Sequence, residues 1–197
     1  MNAKRLAIVA VAVILAAAIA VLMLMPAPDD RTRTEKMALT ASDLAGMNAT
    51  QRLGPFPSPY HPNLSYGGSE ASESDLWLTV DGWDLNVQCL LVLYNSSSSA
   101  SQTFDAIGFD ADWTEIDAGD RCFMGDYHNE TYGGERVMRV NIYAIVLQND
   151  TVTYFTFAAS PPWDDFPDSP VPMLSPQVIE TMKAIIDAQV EKVRQSA

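Results

Sequence analysis

Residues 136–159 read RVMRVNIYAIVLQNDTVTYFTFAA, and this stretch decides the fold. The first thirteen residues form a long run rich in Val, Ile, Tyr and Leu, the side chains that suit a pleated, half-buried surface. Asn149-Asp150 is a tight-turn pair, and 151–159 is apolar and β-branched again. The stretch predicts an antiparallel hairpin. The rest of the chain is read as additions to it.

Upstream, residues 83–94 (WDLNVQCLLVLY) have the two-residue period of a strand. Trp83, Leu85, Val87, Cys89, Leu91 and Leu93 share one apolar face. Residues 76–80 (LWLTV) form a second strand, joined to the first through Asp81-Gly82. The Ser run 96–99 supplies N-caps for a helix over about 98–108. Ala100, Phe104 and Ile107 lie on one side of that helix, and Gly108 suits its end. Residues 113–117 (WTEID) and 121–127 (RCFMGDY) predict two short strands meeting at Ala118-Gly119-Asp120, with a polar turn over 128–135.

Downstream, 160–174 is a Pro-rich acidic loop. Ser175 then caps a helix over about 176–195 that has Pro176 in its first position. Val178, Met182, Ile185, Ile186 and Val193 make its apolar stripe. The predicted class is α+β: an antiparallel sheet of about five to six strands, with the amphipathic C-terminal helix and the shorter helix on one face. One N-terminal transmembrane helix precedes it.

That helix is residues 6–25, LAIVAVAVILAAAIAVLMLM, twenty positions without a charge. As a helix they span about 30 Å, the thickness of a bilayer's hydrocarbon core. Pro26 and Pro28 end the run. Lys4 and Arg5 precede it, and the charges after it cancel, so the positive-inside bias leaves residues 29–197 outside the cytoplasm. A cleaved signal peptide is the competing reading, but the run is long for one and its exit, Met25-Pro26-Ala27-Pro28, suits cleavage poorly. Residues 1–28 are thus an anchor or signal peptide. Residues 29–70, rich in Pro, Gly and Ser toward their end, read as a stalk or linker. Residues 71–197 read as the extracytoplasmic domain. The expected location is the cell membrane, single-pass, with the N-terminus cytoplasmic.

Charge excludes two classes of partner. The chain carries 25 acidic and 12 basic residues, a formal charge of -13. A nucleic-acid binder needs clustered Lys and Arg, and none is present. Docking on anionic lipid through a basic face is equally disfavoured. The membrane contact expected is the span 6–25 itself.

Five of the eight asparagines open an Asn-X-Ser/Thr sequon: Asn48, Asn63, Asn95, Asn129 and Asn149. All five follow the apolar run. They are candidate glycosylation sites on an exposed surface, although Asn, Ser and Thr also gather in turns for local reasons. Cys89 and Cys122 are the two cysteines. In an oxidising compartment they can form one disulfide, and otherwise they are buried thiols.

No motif marks a catalytic centre. His61 and His128 are the two histidines, and neither HExxH nor CxxC occurs, so no zinc site is expected. Asp110, Asp112, Glu115, Asp117 and Asp120 form an oxygen-rich segment without the EF-hand pattern, and Asp164, Asp165 and Asp168 form another. They are solvated acidic loops or a weak divalent-ion site. No Walker loop, GxGxxG or GxSxG is present. No cofactor is expected, and no catalytic residue is selected. Trp77 and Trp83 read as core residues, whereas Phe56, Tyr60, Tyr66 and Trp163 lie in Pro-rich loops, where they anchor a partner or pin the loop to its own domain.

Three pieces carry a family resemblance: a strand and helix over 90–109, the Ala118-Gly119-Asp120 turn into a strand, and a hairpin followed by a terminal helix over 140–157 and 178–193. In this order they resemble small membrane-anchored extracytoplasmic domains of archaeal and bacterial cell-surface proteins, families mostly without an assigned function. In outline they are also similar to PsbP-like folds, an analogy of fold alone. The expectation is a non-enzymatic, membrane-anchored extracytoplasmic domain that binds an envelope component or a protein partner. A calcium or small-ligand sensor is the first alternative, and a secreted hydrolase the second.

Overall fold

The computed structural model describes residues 31–58, 68–132, 136–161 and 174–196, with the backbone alone over 126–132 and 136–138. The predicted hairpin is β6 (Arg136–Gln148) and β7 (Thr151–Ser160), paired in antiparallel register from Val140↔Ala159 to Gln148↔Thr151. Asn149 turns the chain with φ 53°. Upstream lie β1 (Thr50–Pro57), β2 (Gly68–Val80), β3 (Trp83–Tyr94), β4 (Trp113–Glu115) and β5 (Arg121–Tyr132). All seven strands join one antiparallel sheet in the order β1-β2-β3-β7-β6-β5-β4. The strand count exceeds the expected five to six. Asp81 and Gly82, both with positive φ, make the two-residue turn between β2 and β3.

Three α-helices accompany the sheet among the described residues: α1 (Arg33–Met37), α2 (Ser97–Ala106) and α3 (Pro176–Ser196). Ser96 caps α2 by accepting from the Ser99 amide at 3.1 Å. Ser175 caps α3, as the sequence predicts, by accepting from the Val178 amide at 3.3 Å. The helices lie on opposite faces of the sheet, not on one. Odd-numbered Leu85, Val87, Cys89, Phe155 and Phe157 pack in the core that contains the α3 stripe of Val178, Met182, Ile185, Ile186 and Val190. Even-numbered Leu90, Val92, Tyr94 and Val152 pack with Ala100 and Phe104 of α2. Successive strand residues point to opposite faces, so two clusters of opposite parity must lie on two sides. Each fully buried large side chain contributes about 1.5–3 kcal/mol.

The segment expected to be a stalk contains α1, a 3₁₀ turn (Ala41–Leu44), β1 and the start of β2. Thr32 begins α1 with a capping box. Its hydroxyl accepts from the Glu35 amide at 3.3 Å, and the Glu35 carboxylate accepts from the Thr32 amide at 2.7 Å. Met37, Leu39 and Leu44 are buried to 2% exposure or less, which a free linker does not do. Pro55 and Pro57 read as loop residues but are tolerated in β1 because it is an edge strand. Gly54, at φ 73°, lets β1 press on β2, where a Cβ would collide with the Glu73 carbonyl. Among the described residues no helix is long and apolar enough to cross a membrane. The run 6–25 lies outside them.

Candidate functional site: a half-covered sheet face

Helix α2 covers only part of its side of the sheet. The even-numbered side chains of β3 record where the cover ends: Leu90, Val92 and Tyr94 are buried, whereas Asp84 and Asn86 are half-buried and Gln88 is exposed. On β6 the same boundary falls between buried Ile145 and half-buried Tyr143, and on β7 between buried Val152 and half-buried Tyr154. At the boundary a cavity of about 510 Å³ opens. Glu73 and Asp75 of β2, Gln88 and Leu90 of β3, Tyr154 and Thr156 of β7 and Tyr143 and Ile145 of β6 line it.

Two walls stand above this floor. One is β1, whose Leu53 and Phe56 are 60% and 37% exposed, the two large apolar side chains left open to solvent among the described residues. Leu53 is opposite Asp75 in register, and Phe56 opposite Glu73. The other wall is Trp113 of β4, held by an aromatic stack beside α2. The Phe109 ring lies 5.3 Å from Trp113, 4.1 Å from Phe123 and 5.1 Å from Phe104. Gly125 lets β4 lie this close, because a Cβ there would collide with the Asp112 carbonyl and sit 2.8 Å from the Trp113 Cα.

The polar groups are few and specific. Asp75 accepts from Asn86 Nδ2 at 2.5 Å, and Glu73 accepts from the Ser58 hydroxyl. Neither carboxylate has an ion-pair partner among the described residues. Among the described residues the lining contains no Lys, Arg or His. Arg52, the neighbour of Leu53 on β1, places its guanidinium 5.3 Å from the Trp77 ring instead. Of the loop aromatics singled out in the sequence, Phe56 is thus on a strand at the rim. Tyr60, Tyr66 and Trp163 lie outside the described residues.

The other sequence candidates fall elsewhere. Cys89 and Cys122 are both free and buried. They sit on β3 and β5 with β7 and β6 between them. Three inter-strand steps separate them by about 14 Å, whereas a disulfide needs Cα atoms within about 7 Å. Of the two alternatives left open by the sequence, the structure has the pair of buried thiols and not the bridge. Burial pushes both thiols up to about 12, with the Asp187 carboxylate adding to the effect at Cys122. Buried thiols of this kind pack as small apolar side chains.

Asn48, Asn95 and Asn149 are exposed. The backbone of Asn129 lies within β5, paired with Val140, and Asn63 is outside the described residues. In the acidic segment 110–120, two carboxylates accept backbone hydrogen bonds. Asp110 accepts from the Asp112 amide at 3.1 Å, and Asp120 accepts from the Asn149 amide at 2.6 Å. Among the described residues no three or more His, Cys, Asp or Glu gather to hold a metal ion. His61, Asp164, Asp165 and Asp168 fall outside them, as does the side chain of His128.

Comparison with solved structures adds a likeness of fold. No family model matches the chain, and no curated protein matches it. It is similar to the crystal structure of the extracellular domain of PknH from Mycobacterium tuberculosis, at 11% identity and a TM-score of 0.46. The alignment covers 87% of this chain and 98% of that one.

Proposed function

We propose that the chain is a membrane-tethered extracytoplasmic domain that binds a small ligand and performs no catalysis. The cavity on the half-covered sheet face carries this reading. Its size is that of a small-molecule site, and its walls are apolar and aromatic with a few fixed polar groups. The apolar run 6–25, the basic residues before it and the sequons after it support the tether and its orientation.

Methyl-resolved NMR of the full chain in non-ionic detergent tests the binding role. A fragment library is expected to yield molecules that shift Leu53, Leu90 and Ile145 while leaving Val178 and Ile186 of α3 in place. Thr156→Trp fills the floor and is expected to abolish those shifts. A library that moves none of the three groove methyls overturns the reading. Protease added to sealed cells tests the orientation: digestion of residues beyond 31 supports it, and protection until lysis overturns it.

A further inference from the structure

Among the described residues the groove is lined by acids and no base, and neither acid has an ion-pair partner. Glu73 and Asp75 alternate on β2, which puts their Cβ atoms about 7 Å apart along one face. Both accept from neutral donors, Ser58 and Asn86, which satisfy an oxygen each and offset no charge. Beside them lie Leu90 and Ile145, exposed by 7% and 8%, and the rings of Tyr143, Tyr154 and Trp113. The groove is open to solvent on one side, so screening is partial, and two carboxylates without an ion-pair partner among the described residues project a negative potential into it.

That potential selects among occupants. An anion meets like charge. A neutral apolar molecule covers the walls but strips water from two carboxylates without replacing it, which is costly. A molecule with a positive group and an apolar body satisfies both parts, and aromatic rings add attraction for the cation. The same sheet face already holds one such contact. Trp77, two residues beyond Asp75 on β2, carries the Arg52 guanidinium over its ring.

We infer that the groove takes a small organic cation, a protonated amine or quaternary ammonium group on an apolar body. The inference rests on the reading of the groove as a ligand site. The positive group sits between Glu73 and Asp75, and the body lies against Leu90, Ile145 and the aromatic wall. The chain's net charge of -13 raises the local concentration of such a ligand.

Three probes of similar size separate this inference from the one it rests on: benzyltrimethylammonium, benzyl alcohol and benzoate. Each is titrated into the full chain, with the Leu53, Leu90 and Ile145 methyls as the readout. The expected result is saturable binding of the ammonium at least tenfold tighter than either of the others, weakened by added salt. Glu73→Gln and Asp75→Asn are each expected to lower its affinity roughly tenfold. Asp84→Asn, on the same face but outside the lining, leaves it unchanged. Val178 and Ile186 methyls at their native shifts certify the fold of each variant. Equal or preferred binding of benzyl alcohol or benzoate at these methyls overturns the cation inference and leaves the groove as a binding site. Silence of all three methyls toward all three probes counts against both. An ammonium affinity indifferent to Glu73→Gln and Asp75→Asn also overturns the inference.

Discussion

Gln189 on α3 and Leu39, 150 positions earlier, are joined by a buried hydrogen bond in which the Leu39 amide donates to Gln189 Oε1 at 2.9 Å. The other end of the same side chain donates from Nε2 to the Met37 carbonyl at 2.8 Å. Gln189 is 1% exposed, and Met37 and Leu39 are fully buried. One amide side chain thus satisfies a donor and an acceptor of an irregular segment that has no strand partner there. It clasps the chain leaving α1 to the C-terminal helix.

Gln189→Leu keeps the volume and removes the clasp. It leaves the Leu39 N–H and the Met37 carbonyl buried without partners, at about 1–3 kcal/mol for each group. Urea titration is expected to show a midpoint lowered by a matching amount. Limited trypsin digestion is expected to cut earlier at Lys36. An unchanged midpoint together with unchanged digestion would show that water or a local shift replaces the amide.

Acid should loosen the same segment. Glu70 of β2 accepts from the Thr34 amide at 2.5 Å and from its hydroxyl at 2.7 Å. Burial works against its ionisation, but these bonds, Thr32 and the Arg33 charge outweigh it and hold its pKa below the ordinary value. Burial likewise opposes the charge of Asp43, and the Lys192 ammonium at 2.5 Å with Thr40 outweighs it. A lowered native pKa stabilises the fold fully above the ordinary carboxylate range. That stability is lost as pH falls through the native values, below about pH 4. Melting temperature against pH should therefore drop on the acid side, and Glu70→Gln should lower the neutral plateau and flatten the drop. A parallel pair of curves for the two proteins would remove Glu70 from the account.

The sheet's centre was legible because its strands are long and patterned. β3, β6, β7 and α3 fall within a residue or two of where alternation and the 3.6-residue stripe put them. The edge was not. Gly54, Pro55 and Pro57 carry loop chemistry, and residues 68–75 (GSEASESD) lack β-branched side chains. They become β1 and the first half of β2 because β3 offers a strand-long row of backbone partners, so tertiary pairing overrides local propensity. The groove had a signal that the apolar face of β3 obscured. Its other face changes from Asp84, Asn86 and Gln88 to Leu90 and Val92, which marks the border of a partial cover. Gln189 had one as well, as an amide inside the apolar stripe of α3.

The two thiols supply a chemical test of the topology. With pKa pushed up to about 12, only roughly one thiolate in ten thousand forms at pH 8. Native protein is expected to react with a neutral thiol reagent no faster than it unfolds. Denaturation without reductant should then release two labelled cysteines per chain. Recovery of none, with both appearing after reduction, would place Cys89 and Cys122 on neighbouring strands and refute the strand order described here.

Gly125 is where the fold and the groove can be separated. Its missing side chain is what lets β4 cross β5 closely enough to set Trp113 at the wall. Gly125→Ala must push back the Asp112 carbonyl, which is backbone and cannot rotate aside. The strain belongs to a three-residue strand at the sheet's end, so that strand yields before the core does. A destabilisation of about 1–3 kcal/mol is the upper range for such overpacking, and partial release of β4 keeps it toward the low end. The expected signature is a small fall in the urea midpoint with native Val178 and Ile186 methyl shifts. Trp113 emission should move to the red as its ring gains solvent, read with Trp77, Trp83 and Trp163 each replaced by Phe. Ligand affinity in the groove should fall through the lost aromatic wall even though Glu73 and Asp75 are untouched. Native emission and affinity in Gly125→Ala would show that Trp113 keeps its place without the glycine, and the wall would then need another cause.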